Sequence, residues 1–94
     1  MSFEHKGKPI IPTKTALSEL SDIGLNLHDV PEILEKGFEI RKRSKNIAER
    51  GIQRGNKVVN VVVVDVGSYY KLIHAGEFTL TKKFKKLMRD KNGI

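Results

Sequence analysis

The sequence predicts an α+β fold: two N-terminal helices packed on a four-stranded antiparallel sheet, with a basic helix at the C-terminus. Three observations carry that expectation. Apolar residues recur with helical spacing between Thr13 and Gly37, the period changes to two after Gly37, and Val58 to Val66 is an almost unbroken β-branched run. Ninety-four residues suffice for one hydrophobic core, so an arm over residues 1–12 and a single domain over residues 13–94 are expected.

The arm shows little pattern and ends in Pro9-Ile10-Ile11-Pro12, which allows a brief extended piece at most. From Thr13, Ala16, Leu17, Leu20 and Ile23 fall on one helical face, and Gly24 supplies the left-handed residue that ends helices. The second helix opens at Asp29-Val30-Pro31-Glu32. There Asp29 accepts early backbone donors, Glu32 reaches back, and Pro31 sits where a missing N–H matters least. Val30, Ile33 and Leu34 form its apolar face, and it stops at Gly37.

Phe38, Ile40 and Lys42 then alternate with Glu39, Arg41 and Arg43 as a half-exposed strand. Ser44-Lys45-Asn46 turns the chain into a second strand, Ile47 to Arg54, and Gly55-Asn56 reads as a two-residue hairpin turn. The valine run is the kind of strand that is covered on both faces and central in its sheet. Gly67-Ser68 turns it into a fourth strand, Tyr69 to Ala75. Thr79 or Thr81 caps the last helix, in which Leu80, Phe84, Leu87 and Met88 share one stripe and lysines fill most of the rest.

With 31% charged and 38% hydrophobic residues, the chain is apolar enough to fold and too polar to live in a bilayer. No apolar run approaches the roughly 20 residues of a spanning helix. The start Met-Ser-Phe-Glu-His-Lys lacks the apolar stretch of a secretory signal, so a cytoplasmic protein is expected. Zero cysteines exclude disulfides and thiolate chemistry, and the three histidines offer no i, i+4 pair for a metal. No cofactor motif is present, and none is expected.

The net charge of +7 is unevenly laid out. Residues 1–37 hold four lysines and six acids, a net −2, whereas residues 38–94 hold fourteen basic and five acidic residues, a net +9. Electropositive potential in the strands and tail suits a phosphate-bearing partner, RNA or another nucleic acid. The two leading helices resemble a helix-turn-helix in spacing, but Glu19, Asp22, Asp29, Glu32 and Glu35 would be repelled by a DNA backbone. A hairpin of helices covering the sheet is expected instead.

The segment from Thr15-Ala16-Leu17 through Gly37, followed by basic hairpins and the valine strand, resembles a family of prokaryotic domains of unknown function, of the 4258 type. That family is related to the RelE/ParE and BrnT toxin group. The quoted residues are the helix ending in Gly24-Leu25 and the run Asp29-Val30-Pro31-Glu32-Ile33-Leu34-Glu35-Lys36-Gly37. Thr15 and Ile23 stand where that family commonly has His and Arg. The resemblance implies a RelE-like layer of two helices over an antiparallel sheet, toxin–antitoxin biology, and basic residues of the sheet in contact with RNA.

Cleavage of RNA by its own 2′-hydroxyl needs a base, an acid and cations near the phosphate. His74 is the leading acid/base candidate, with Tyr70 nearby on the same strand and Glu49 second. Arg41, Arg43, Arg50, Arg54 and Lys71, with Lys82, Lys83 and Lys86 of the last helix, are the candidate phosphate ligands. The sequence thus points to RNA binding, with metal-independent RNA cleavage as the reaction these residues could carry. Plainer roles exist for each: His74 as a hydrogen-bonded structural residue, Glu49 and Arg50 as cross-strand partners, one tyrosine as packing. A second functional reading is a non-catalytic module whose basic sheet meets an acidic protein segment.

Overall fold

The computed structural model describes residues 3–80, with the side chains of Lys42 and Arg43 outside the description. Eight elements follow one another: β1 (Glu4–His5), β2 (Lys8–Pro12), α1 (Lys14–Asp22), α2 (Asp29–Lys36), β3 (Phe38–Ser44), β4 (Ile47–Arg54), β5 (Lys57–Asp65) and β6 (Tyr70–Thr79). All six strands join one sheet in the order β1-β2-β6-β5-β4-β3, curled into a half-barrel. The β3-β4-β5-β6 part is antiparallel, and β2 lies parallel to β6.

The expected four-stranded antiparallel sheet is therefore corrected to a six-stranded mixed one. The arm makes the difference. Lys6 and Gly7 both adopt left-handed backbone, with φ of +54° and +78°, and a turn with positive φ at both central residues matches the twist of a hairpin. It folds β1 back on β2, and the Thr13 amide then donates to the Leu72 carbonyl, tying the arm to β6. Pro9 and Pro12 are tolerated because they sit near the two ends of β2, and Ile10 between them is buried in the core.

Both helices begin and end close to where the sequence places them. Thr13 caps α1 by accepting from the Ala16 amide at 3.0 Å, and Gly24 follows at φ +74°. The capping box at Asp29 does not form. His28 is the N-cap and makes no side-chain cap bond, while the Asp29 carboxylate accepts from the Asn26 amide at 2.9 Å and closes the loop before the helix. A short polar side chain can serve the loop or the helix, and here the loop wins.

Strand alternation divides the sheet into two faces. Val59, Val61 and Val63 of β5 and Leu72 and Ala75 of β6 form the core with Ala16, Leu20, Val30, Ile33 and Leu34 of the helices. Val58 and Val62 point the other way, yet both are fully buried. The Glu49 carboxylate shares their face and accepts from the Asn60 amide nitrogen at 2.8 Å. The valine strand is thus covered on both faces, as its composition predicts.

β6 continues to Thr79, which pairs with Lys57 at the start of β5, after a register shift at Ile73. Thr79 therefore ends a strand and does not cap a helix. The expected C-terminal helix, with Thr81, Lys82, Lys83 and Lys86, lies outside the described residues.

Candidate nucleic-acid interface

The β1–β2 hairpin does more than extend the sheet. It stands beside the end of α2 and the β3–β4 turn, and together they enclose a cleft of about 660 Å³. Cations reach it from three separate elements: Lys6 from the first turn, Lys45 from the β3–β4 turn and Arg50 from β4. His5 and Tyr70 add rings, their centroids 5.3 Å apart, and Val63 and Ala48 lend an apolar floor. Glu4, Glu35 and Asp65 add carboxylates.

The charges are not equivalent. Asp65 is held by Lys8, whose ammonium lies 3.0 and 3.2 Å from the two carboxylate oxygens, and it also accepts from the Gly67 amide. The amide bond and then the lysine keep the Asp65 carboxyl below its ordinary range. Lys8 is further placed 5.3 Å from the Tyr70 ring centroid, so this lysine is committed to structure. Among the described residues, neither Lys6 nor Lys45 has an ion-pair partner.

Arg50 is anchored at one end. Its Nη2 donates to the carbonyl of Gly37, the C-cap of α2, while its Nε is buried with no hydrogen-bond partner among the described residues. Arg54 repeats the device four residues on, donating from Nη1 to the Ile23 carbonyl at the C-cap of α1. Cationic donors at the negative ends of two helices complement both the free carbonyls and the macrodipole. These two arginines thus each hold a helix end, a contact the sequence reading of phosphate ligands, or of Arg50 as a cross-strand partner of Glu49, does not include.

Burial, first, and then the nearby charges of Lys6 and Arg50 lower the pKa of His5, with Glu35 opposing. A lowered folded pKa means the unfolded chain binds the proton more readily. The associated stability is complete above the ordinary value of 6.5 and is lost as pH falls through the lowered one. Thermal melting of the wild type should therefore drop between pH 7 and pH 5 by more than that of His5→Gln, whose amide cannot titrate there. Parallel curves would show that His5 is not the group responsible.

The three residues expected to do chemistry do not meet in one place. Tyr70 lines the cleft. Glu49 and His74 share a register row on either side of Val62, two strand spacings or about 10 Å apart. His74 is turned to α1, its Nδ1 3.3 Å from the Glu19 carboxylate, which also accepts from the Ala75 amide where β6 has passed beyond the end of β2. Through the Ala75 bond the Glu19 carboxylate satisfies a backbone donor of the strand edge.

Of the expected phosphate ligands, Arg41 and Lys71 are exposed on β3 and β6, Arg50 and Arg54 cap helices, and the Arg43 side chain lies outside the described residues. Charge is spread differently from the two-part division of the chain. Residues 3–80 carry twelve basic and ten acidic residues, whereas residues 81–94 carry six basic and one acidic. A finer division of the sequence would have found this; His5 and Lys6, by contrast, carry no signal beyond the Lys-Gly turn.

Among the described residues no group of three His, Asp or Glu is placed to hold a metal ion, and no helix is long and apolar enough to cross a membrane. No family model matches the chain, and no curated protein or solved structure does either.

Proposed function

We propose that this domain binds single-stranded RNA along the β3–β4 hairpin and into the adjoining cleft. The observation that supports the reading best is the approach of Lys6, Lys45 and Arg50 to one cleft that also offers the rings of His5 and Tyr70. Ammonium and guanidinium groups attract phosphate, and aromatic faces give bases a sequence-tolerant surface. Arg41 and Lys45 extend the positive charge along the hairpin, and the sequence of residues 81–94 holds six further basic residues. The reading stops at binding, because His74, Glu49 and Tyr70 do not share a site.

Binding of a short labelled RNA across a salt series tests it. Phosphate contacts release counterions, so log affinity should fall linearly with log salt. Arg41→Ser and Lys45→Ser should each weaken binding and reduce the slope by roughly one. A protein that ignores RNA at low salt, or variants that leave the slope unchanged, would refute the proposal. The competing reading, an acidic protein segment on the same surface, predicts that first result.

A further inference from the structure

The cleft beside Arg50 has a composition that a simple backbone-tracking groove would not need. A groove for a continuous polyanion is lined by one sign of charge along its length. Here the cations Lys6, Lys45 and Arg50 share the space with Glu4 and Glu35, for which no ion-pair partner within the cleft is present among the described residues. A second phosphate in the cleft would share it with those carboxylates. The arrangement therefore favours one anionic group of high charge over a string of singly charged ones.

We infer that this cleft seats a terminal phosphomonoester, the phosphorylated end of an RNA strand, with its last nucleotide against Tyr70 and His5. The inference rests on the RNA-binding reading and names the part of the ligand that the cleft takes. Three features of the site support it. A phosphomonoester carries about −1.5 to −2 charges at neutral pH where an internal diester carries one, so it gains more from converging cations. The bond from Arg50 Nη2 to the Gly37 carbonyl fixes the guanidinium of a residue that lines the cleft, so its positive charge is held there for an anion. The volume, about 660 Å³, lies within the roughly 300–1,000 Å³ of small-molecule sites and suits one or two nucleotides, not a duplex.

Lys6 is the discriminating residue. It sits at φ +54° in the arm turn, and asparagine tolerates that conformation, so Lys6→Asn removes the charge and keeps the hairpin. Arg50→Gln is the stronger change but also loses the cap of α2, and Lys6→Asn guards against a folding defect.

The experiment compares one short single-stranded RNA in three forms: both ends hydroxyl, 5′-phosphorylated, and 3′-phosphorylated. Adenosine monophosphate serves as competitor. One phosphorylated form should bind about tenfold tighter than the hydroxyl form, the gain of a charge-assisted contact of about 1.4 kcal/mol. Lys6→Asn should weaken the phosphorylated form more than the hydroxyl form and so erase most of that preference, and the mononucleotide should compete away the same increment. Equal affinity for all three forms overturns the inference and leaves RNA binding standing. Binding of the mononucleotide with no RNA in any form supports the phosphomonoester seat with a free nucleotide as its source, and overturns the RNA reading. A preference that survives both Lys6→Asn and Arg50→Gln shows that the phosphate is held elsewhere, and the inference fails.

Discussion

Gly37→Ala is expected to destabilise the domain by about 3 kcal/mol, the upper part of the usual range for overpacking. The backbone at Gly37 is extended, with φ −73°, so no conformational strain is involved. The cause is steric. A methyl group there would press on the carbonyl oxygens of Ile33 and Gly51, the latter at 2.5 Å, and both are main-chain atoms that cannot swing aside. Relief requires moving the end of α2 away from β4. That movement would also take the Gly37 carbonyl from Arg50 and disturb the cleft. Urea denaturation checks it: the midpoint should fall with the slope unchanged. A midpoint close to that of the wild type would mean that the junction of α2 and β4 is looser than described.

Leu72→Ala should cost a similar amount, about 3 kcal/mol within the roughly 2–5 kcal/mol seen for buried leucines. Leu72 is fully buried in β6 between Pro12 of β2 and Val63 of β5, and its carbonyl accepts from Thr13 where the arm meets α1. Truncation removes the apolar contact and leaves a cavity that neighbours on two strands cannot fill without breaking their register. Since small domains are stable by only about 5–15 kcal/mol, this is a large share of the total. Leu17 on α1, 46% exposed, is the control and should lose well under 1 kcal/mol on the same change. Equal losses at the two leucines would mean that burial does not rank them. Because Tyr70 lies two residues before Leu72, the Leu72 variant should also bind RNA more weakly where it remains folded.

Much of the fold is legible in residue order. The helical spacing of Ala16, Leu20, Val30, Ile33 and Leu34, the glycines after each helix and the alternation beyond Gly37 each report a local preference, and local preferences survive folding. The valine strand reveals its double burial because a half-exposed strand would alternate. The arm is different. Its two prolines and its Lys6-Gly7 turn give weak signals, and β2 joins the main sheet because β6, some sixty residues later, offers a parallel edge. Pairing of that kind is a long-range contact with no periodicity of its own.

The candidate site was partly visible for the same reason. Tyr70 and Arg50 were identified as useful side chains, but nothing in their spacing tells that His5 and Lys6 complete a cleft with them. Charge alone also does not show the helix carbonyls that the arginines of β4 meet. A guanidinium is written the same way whether it faces phosphate or a helix carbonyl, and only the fold brings the C-caps of α1 and α2 within reach of Arg54 and one arm of Arg50. His74 likewise has a polar partner, Glu19, that is fifty-five residues away in sequence.

The order of amino acids by itself determined the two helices, the four consecutive strands and the basic excess of residues 38–94, since propensity, period and charge are properties of short stretches. Tertiary structure alone decided the two added strands, the parallel pairing and the cleft. Those depend on which distant surfaces can be buried together, and burial is a property of the folded whole.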